Sequence, residues 1–387
     1  MLALLAPGQG AQTPGFLDPW LSLPGAPEAL TEWSVMSGVD LRWAGVAANA
    51  DEIRDTAIAQ PLLVAAGALA IKALDAVAPA VTVGHSVGEL TAAIAARALT
   101  PGAGVTLAAA RGRAMSKAAG DQGSGMTAIL GGDPALVTAH VRRFGLDIAN
   151  FNGEGQLVAA GPLDALAHLA ADPPVGTRLR PLAVAGAFHT KLMASAQAEF
   201  ANAVAETTIA DPTLPIVSNL DGAIVRSGRE LSARLLEQVC APVRFDRCLR
   251  TLGSAGVTAA IELPPAGTLS ALIRRALPDV EVVALRTPDD LPTAFGLAVR
   301  NAPLDAEPEP PLRLVVAPQS GTVNLIALPA GARVTPGTAM GTVRAPRTEA
   351  PVSASVSGVL TEWLVHDGDL VRTGQPVALL ELDEERS

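Results

Sequence analysis

The sequence predicts an α/β body built on a parallel sheet, a small α+β insert within that body, and an all-β module at the C-terminal end. Three observations support this prediction. Short apolar runs alternate with Ala-rich segments of helical length, the pattern changes between about 125 and 186, and a Pro/Glu-rich stretch precedes an internal repeat. The expected bounds are 1–300 for the body, 124–187 for the insert, 301–311 for a linker and 312–387 for the module.

The body begins with Leu2–Ala6, a short apolar run that ends at Pro7-Gly8 and therefore predicts a buried strand followed by a tight turn. Alternation of such strands with helical segments is typical of a parallel sheet. Further strands are predicted at 81–83, 216–219 and 258–263, and helices at 61–76, 89–98 and Leu291–Arg300. The insert reads as strand 126–130, helix 134–144, strand 157–160 and helix Leu163–Ala171.

The C-terminal module follows Glu307-Pro308-Glu309-Pro310, a sequence that predicts an extended, solvated linker. Within the module, an offset of 37 residues superposes Ser320-Gly321 on Ser357-Gly358. The same offset superposes Gly331, Val334 and Gly337 on Gly368, Val371 and Gly374. A gapless repeat of this kind predicts two similar short β units.

Composition restricts the classes of function. The net charge of −10 argues against nucleic-acid binding, which needs clustered basic side chains, and an acidic partner would need a local basic patch. Candidates for that patch are Arg111, Arg113, Lys117 and Lys191. The N-terminus lacks a secretory basic region, and no apolar stretch of about 18 residues is free of charges or turn residues, so we expect a cytoplasmic protein without a membrane span. Cys240 and Cys248 lack metal-ligand spacing, and we expect reduced thiols and no metal.

The strongest chemical signal is Gly84-His85-Ser86-Val87-Gly88, which fits GxSxG. This sequence forms a sharp strand-to-helix turn that exposes a serine hydroxyl, and here a predicted strand precedes it and a helix follows it. We therefore predict that Ser86 is a nucleophile and that the backbone N–H of Val87 points toward it.

A serine needs a base to remove its proton, and histidine is the usual base near neutral pH. His85 adjoins Ser86 and should point away from it. Three other histidines lie in predicted insert helices or in the separate module: His140, His168 and His366. Elimination leaves His189, in Gly186-Ala187-Phe188-His189-Thr190, as the candidate base.

At this point the residues resemble the malonyl-CoA:acyl carrier protein transacylase family, which includes the acyltransferase domains of polyketide synthases. The resemblance covers residues 1 to about 295 and rests on several motifs in the order of the family. These motifs are Pro7-Gly8-Gln9-Gly10-Ala11-Gln12, Gly84-His85-Ser86-Val87-Gly88-Glu89, Arg111-Gly112-Arg113-Ala114-Met115, Ala149-Asn150-Phe151-Asn152 with Gly155-Gln156, Gly186-Ala187-Phe188-His189 and Pro242-Val243-Arg244-Phe245. The fold implied is an α/β-hydrolase-like body with a ferredoxin-like insert.

The resemblance implies a Ser86–His189 dyad in which the backbone carbonyl of Gln238 orients the imidazole. It also implies an oxyanion hole formed by the backbone N–H groups of Gln9 and Val87. Catalysis of this type uses no metal or bound cofactor.

The resemblance further implies that Arg111, 25 residues after Ser86, holds the free carboxylate of a malonyl group, for which its planar guanidinium is suited. A surface helix charge is the alternative for Arg111. Gln60 and Asn152 resemble pocket-lining residues, with plain structural roles as the alternative. Phe188 resembles the malonyl-selective form of its motif, in which a bulky ring disfavours a methylmalonyl group, although a methylene-sized distinction is worth only about 1 to 3 kcal/mol.

Two features depart from the family pattern. Glu262-Leu263-Pro264-Pro265-Ala266-Gly267 stands where a Gly-Pro-Gly turn is usual, so a different backbone is expected there. Thr190 replaces the usual serine after the histidine. Neither change removes a catalytic group.

Residues 312–387 resemble the biotinyl/lipoyl-like barrel, whose two similar halves agree with the repeat. In that family a lysine at a hairpin tip carries the cofactor, and Arg347 stands at its place. Guanidinium stays protonated and cannot be acylated in this way, so we expect an unmodified module that docks a partner or stabilises the chain rather than a carrier.

The predicted function is ping-pong transfer of a malonyl group from malonyl-CoA, through Ser86, to the phosphopantetheine thiol of an acyl carrier protein. One alternative is an editing hydrolase that releases acyl groups to water. A second is a docking subunit of a larger synthase or decarboxylase complex. A dinucleotide site at Gly8-Gln9-Gly10 is disfavoured because Thr13 stands where its third glycine would be.

Overall fold

The computed structural model describes residues 1–120, 123–153, 155–184, 186–301 and 312–382. Contacts between residues divide the chain into two units, 1–302 and 303–387. The predicted linker, 301–311, lies outside the described residues except for Asn301.

The first unit contains strands and helices in alternation. Its strands are β1 (Leu2–Ala6), β2 (Val81–Gly84), β3 (Ser124–Gly131), β4 (Asp147–Phe151), β5 (Gln156–Pro162), β6 (Thr177–Pro181), β7 (Ile216–Val217), β8 (Ile224–Val225), β9 (Ala259–Glu262) and β10 (Glu281–Ala284). Its helices are α1 (Ala26–Ser37), α2 (Leu41–Val46), α3 (Thr56–Ala73), α4 (Gly88–Ala95), α5 (Pro101–Gly120), α6 (Pro134–Arg143), α7 (Leu163–Ala171), α8 (Ala194–Ala205), α9 (Gly228–Glu237), α10 (Phe245–Ser254), α11 (Thr268–Ala276) and α12 (Leu291–Arg300). Short 3-10 helices cover Asp18–Ser22, Glu52–Arg54, Lys191–Met193 and Pro288–Asp290.

The main sheet has the strand order β10-β9-β1-β2-β7-β8. All neighbours are parallel except β7 and β8, which are antiparallel. Along β1, Leu2 and Leu4 belong to one hydrophobic core, whereas Ala3 and Leu5 belong to a second core. The sheet is therefore covered on both faces, as the continuous apolar runs predict for parallel strands.

Helix α3 begins earlier than predicted because Asp55 caps it, accepting a hydrogen bond from the backbone N–H of Ala57 at 2.9 Å. The strand predicted at 216–219 is shorter, and β7 ends at Val217. Helix α5 was not predicted, and it lies against α3 and α8.

The insert has the order β3-α6-β4-β5-α7-β6, and its antiparallel sheet has the strand order β4-β5-β3-β6. This is the ferredoxin-like β-α-β-β-α-β arrangement. The insert has a hydrophobic core of its own, which includes Ile129, Val141 and Leu157.

Helix α3 is long and apolar enough to cross a membrane by length and composition, although Pro61 and Lys72 interrupt its apolar run. Of this 18-residue segment, 72% is buried inside the protein, as in the core helix of a folded domain. A cytoplasmic location stays a prediction.

The second unit consists of strands that repeat along the chain. They are β11 (Leu312–Val316), β12 (Gly321–Leu325), β13 (Arg333–Val334), β14 (Ala339–Ala345), β15 (Thr348–Ser353), β16 (Gly358–Trp363), β17 (Leu370–Val371) and β18 (Pro376–Leu382). They form two four-stranded sheets, β11-β18-β16-β13 and β15-β14-β12-β17. The strands β12, β13 and β14 recur as β16, β17 and β18 at the offset found in the sequence.

Candidate active site

The turn between β2 and α4 carries Ser86, whose φ of 56° lies in the left-handed region. A Cβ atom at Gly84 would overlap the carbonyl group of Gly88, and a Cβ atom at Gly88 would overlap the carbonyl oxygen of Ala6. Both glycines are therefore required by close approach of the backbone. The turn holds the serine hydroxyl at the carboxyl end of β2, which lies between β1 and β7 in the sheet.

His189 lies against this hydroxyl. Its Nε2 atom is 2.8 Å from Ser86 Oγ, and its Nδ1 atom is 2.8 Å from the backbone carbonyl oxygen of Gln238. A carbonyl only accepts, so Nδ1 must carry the proton and Nε2 is free to accept from the serine. Burial, and next the charge of Arg111, lower the pKa of His189 to about 3, so the imidazole is neutral at physiological pH.

Arg111 approaches the same hydroxyl from helix α5, and only 2% of the residue is exposed. Its Nη1 donates to Gln60 Oε1 at 2.8 Å, and its Nη2 donates to Gln238 Oε1 at 2.6 Å and to Ser86 Oγ at 3.3 Å. Burial lowers the pKa of Arg111 to about 10, which leaves the guanidinium charged at neutral pH. The alternative of a surface helix charge, and a place for Arg111 in a surface basic patch, are therefore wrong.

The site contains two further polar residues, Glu89 and Asn219, that the sequence did not identify as functional candidates. Glu89, 1% exposed, accepts a hydrogen bond from the backbone N–H of Asn219 at 2.7 Å through Oε1, and from Gln238 Nε2 through Oε2. Asn219 Oδ1 accepts from the backbone N–H of Ser86 at 2.6 Å, and its Nδ2 donates to the carbonyl of Gly84 at 2.6 Å. A carboxylate inside the apolar helix α4 was a signal for Glu89. Asn219 was hidden because it was assigned to a strand.

A cavity of about 180 Å³ lies over the serine, between the main body and the insert. The residues predicted for the site that line it are Gln9, Gln60, Ser86, Val87, Asn152, Phe188 and His189. A larger cavity of about 330 Å³, near Pro134 and Arg275, contains none of the predicted site residues. We therefore assign the chemistry to the smaller cavity.

The proposed oxyanion hole depends on two backbone N–H groups of this lining. The side chain of Gln9 is tied down by a hydrogen bond from Nε2 to the carbonyl of Arg54 at 3.0 Å. Within the described part of the chain, the backbone N–H groups of Gln9 and Val87 donate to no protein acceptor. Both are thus available to an oxygen in the cavity.

His85 is turned toward the insert instead of toward Ser86 Oγ. Its Nε2 lies 2.9 Å from Asn152 Oδ1, and its ring packs against Phe245 at 5.4 Å between centroids. His85 points away from the hydroxyl, as expected, but it still lines the cavity and so belongs to the site. Asn152 is held by this contact between body and insert.

The two departures from the family pattern have local explanations. The buried carboxylate of Glu262 accepts hydrogen bonds at 2.8 Å from the backbone N–H groups of Gly267, Leu269 and Ser270, and thereby fixes the loop that leads into α11. Thr190 Oγ1 donates to the carbonyl of Ala187 at 2.7 Å and accepts from the backbone N–H of Leu192.

Among the ranges described, no three His, Cys, Asp or Glu side chains form a group that could hold a metal ion.

The chain is similar to known proteins over the first unit. The acyl transferase domain family matches residues 5–290. The malonyl CoA-acyl carrier protein transacylase of Mycobacterium tuberculosis (strain ATCC 25618 / H37Rv) is 47% identical over 296 residues, which cover 75% of this chain and 98% of that protein. The protein of the same name from Escherichia coli (strain K12) is 30% identical over 305 residues, covering 76% of this chain and 99% of that protein.

Solved structures give the same result. The crystal structure of MCAT from Mycobacterium tuberculosis matches with a TM-score of 0.74 at 47% identity, covering 75% of this chain and 98% of that one. A type II PKS acyl-carrier protein in complex with its malonyl-transacylase matches with a TM-score of 0.72 at 27% identity, covering 76% and 99% of the two chains. The C-terminal unit lies outside the family match.

Proposed function

Because the chain belongs to the acyl transferase domain family, we propose that it transfers a malonyl group from malonyl-CoA to the phosphopantetheine thiol of an acyl carrier protein. The observation that carries this proposal is the convergence of Ser86, His189 and Arg111, with Arg111 Nη2 3.3 Å and His189 Nε2 2.8 Å from the serine oxygen. A nucleophile and a base thus meet at one cavity, and a cation suited to a carboxylate, which is not itself part of the cavity lining, contacts the serine oxygen. The 47% identity to a malonyl CoA-acyl carrier protein transacylase supports transfer over hydrolysis.

The first half-reaction acylates Ser86. His189 Nε2 takes the hydroxyl proton as Ser86 Oγ attacks the thioester carbonyl, and the N–H groups of Gln9 and Val87 stabilise the negative charge on the carbonyl oxygen. When the tetrahedral intermediate collapses, the C–S bond breaks and the thiolate of coenzyme A takes the proton from His189. The malonyl group remains as an ester on Ser86.

The second half-reaction reverses these steps with a different thiol. His189 takes the proton of the phosphopantetheine thiol, the sulfur attacks the ester carbonyl, and Ser86 leaves with the proton returned by the imidazole. The relatives' acyl carrier protein is thus the proposed acceptor for this chain. This route requires no metal or bound cofactor, because the imidazole supplies the base and the thiol is the leaving group.

Arg111 accounts for the preference for a malonyl group. Gln60 and Gln238 each accept from one of its two terminal nitrogens, which leaves for the carboxylate of the acyl group a free N–H on Nη1 and the Nη2 N–H that otherwise donates to Ser86 Oγ. An acetyl group offers no such partner. Phe188, 6% exposed, lines the cavity and limits the room for an α-methyl branch.

The test uses intact mass spectrometry of the full chain after incubation with malonyl-CoA. We expect one malonyl adduct, absent in Ser86→Ala, that disappears when a carrier thiol is added and reappears on the carrier. Release of free malonate at the same rate without a carrier would instead support the hydrolase. An adduct that persists in Ser86→Ala would refute the assigned nucleophile.

We also propose that the C-terminal unit is a biotinyl/lipoyl-like barrel without a modifiable lysine. The strand repeat and the two-residue tip Pro346-Arg347 between β14 and β15 support this reading. In the full chain, Arg347→Lys should gain the mass of biotin or lipoate when a ligase for that group is present, whereas the parent chain should not. No gain in the variant, with a known acceptor domain modified in parallel, would contradict the proposed likeness.

The role proposed for this barrel is to dock a partner or to stabilise the chain. Removal of residues 312–387 should then leave malonyl transfer to an isolated carrier protein intact, provided that the remaining unit is folded by circular dichroism. Loss of transfer by a folded truncated chain would show that the barrel takes part in the reaction.

A further inference from the structure

Glu89 is a buried carboxylate that the acylation route does not use. It lies in the first turn of α4, three residues after the nucleophile, and is 1% exposed. Burying a carboxylate is costly unless its oxygens are hydrogen-bonded, and both oxygens of Glu89 have partners in the site. Its position therefore calls for a role beyond packing.

The partner of Oε2 is the side-chain amide of Gln238, which joins three parts of the site. Its Nε2 donates to Glu89 and to the backbone carbonyl of Ser86 at 3.0 Å, while its Oε1 accepts from Arg111 Nη2 at 2.6 Å. An amide has one donor end and one acceptor end. Because Glu89 and the Ser86 carbonyl both accept, they fix the NH₂ end and so turn the oxygen toward Arg111.

We propose that Glu89 is a positioning residue that, through the amide of Gln238, holds the Arg111 guanidinium in the orientation that binds a carboxylate-bearing acyl group. The inference rests on the proposed malonyl transfer and adds the origin of its selectivity. Without an acceptor at Glu89, the amide can turn its NH₂ group toward Arg111, and two donors then face each other. Gln60 would then be the only amide that holds the guanidinium, with Ser86 Oγ at 3.3 Å as its other contact.

The other oxygen of Glu89 supports the same geometry. It accepts from the backbone N–H of Asn219, whose side chain accepts from the backbone N–H of Ser86 at 2.6 Å. Glu89 thus connects the serine turn with the group that orients Arg111. Burial raises the pKa of Glu89 to about 7, although hydrogen bonds from Asn219 and Gln238 act in the opposite direction.

The experiment measures the rate constants for acylation of Ser86 by malonyl-CoA and by acetyl-CoA, and takes their ratio. In Glu89→Gln the new amide cannot accept from Gln238 and Asn219 with both of its ends, since one end is a donor. We expect the malonyl-to-acetyl ratio to fall roughly tenfold or more, the size of one lost hydrogen bond to a charged group, with acetyl transfer affected much less.

Two further single variants and one double variant sharpen the test. Gln238→Met keeps the backbone carbonyl that orients His189 but removes the amide, so it should lower the ratio as well, and the double variant should show no additional fall. Glu262→Gln neutralises another buried carboxylate and should leave the ratio unchanged even if it lowers both rates. If Glu89→Gln does not fold, an unchanged ratio in Gln238→Met still overturns the inference, because the amide would then have no part in orienting Arg111.

An unchanged ratio in folded Glu89→Gln, or in Gln238→Met, overturns the inference, because a purely structural role would lower both rates equally. The proposed function fails differently: the parent chain would then form no malonyl adduct at all. The two failures are therefore distinguishable in one set of measurements.

Discussion

Removal of the Arg111 guanidinium is the perturbation whose magnitude the structure defines best. In Arg111→Ala the shortened side chain leaves room for water, which can satisfy Gln60 and Gln238. The two terminal nitrogens carry four N–H groups, of which one reaches Gln60 and one reaches Gln238. Two N–H groups remain for the malonyl carboxylate: a free one on Nη1, and one on Nη2 that donates to Ser86 Oγ at 3.3 Å in the unacylated protein and must turn to the carboxylate.

Each charge-assisted hydrogen bond is worth about 1.5 to 3 kcal/mol, so the loss of two should cost at least about 3 kcal/mol. At about 1.4 kcal/mol per tenfold, this corresponds to a fall of at least about 100-fold in malonyl acylation. Acetyl acylation should change little, because an acetyl group has no carboxylate. The assay is rapid-quench acylation followed by intact mass.

Arg113→Ala is the matched control, because Arg113 lies on the same helix, is exposed, and donates instead to the carbonyl of Ser37 at 2.9 Å. It should leave both acylation rates close to those of the parent. Equal losses of malonyl and acetyl acylation in Arg111→Ala would refute the assignment of Arg111 to the carboxylate.

Three further predictions follow from the site. Ser86 should react with a neutral sulfonyl fluoride at a steady rate between about pH 8 and 5, because the pKa of His189 is lowered to about 3 and the base becomes protonated only as the pH approaches that value. In Arg111→Ala the fall in rate at acid pH should begin at a higher pH, since the charge of Arg111 lowers the pKa of His189. A fall in rate centred near pH 6.5 in the parent protein would contradict the prediction. Phe188→Ala should raise the rate of methylmalonyl acylation relative to that of malonyl acylation, by a factor that corresponds to about 1 to 3 kcal/mol in activation free energy. An unchanged ratio of the two adducts would refute a steric role for the ring. Gly88→Ala should lower the melting temperature by several degrees and abolish acylation, because its Cβ would overlap the carbonyl of Ala6; a stable, active variant would show that the turn can relax.

The parts of the fold that depend on local patterns were predictable. Strand β1 and helices α7 and α12 have the predicted bounds, because apolar runs and turn residues mark their ends. Helix α5 was missed, since Gly102, Gly104 and Gly112 lower helix propensity. These glycines lie at close contacts within the body, as where Gly112 meets the backbone of Thr56 in α3. Packing between helices, not local preference, decides that segment.

For the site, motifs pointed to Ser86, His189 and Arg111, the proposed nucleophile, base and carboxylate-binding residue, but not to the connections between them. The hydrogen bond between Arg111 and Gln238 joins residues 127 positions apart, and the one between Gln238 and Glu89 joins residues 149 positions apart. Such pairs leave no periodic pattern in a single sequence. Asn219 illustrates the limit, because an apolar run that ends in Ser-Asn looks like strand until the fold shows the amide beneath Ser86.

The arrangement of strands in the C-terminal unit has a consequence for how it can vary. In each sheet, two central strands from one repeat are flanked by strands from the other: β18 and β16 lie between β11 and β13, and β14 and β12 lie between β15 and β17. A single repeat would thus be left as a two-stranded ribbon with unpaired edges, which is marginal in water. Solenoid proteins gain or lose repeats one at a time, because each repeat contacts only its neighbours. Here each repeat completes both sheets of the other, so a single repeat cannot be added or lost without leaving strands unpaired.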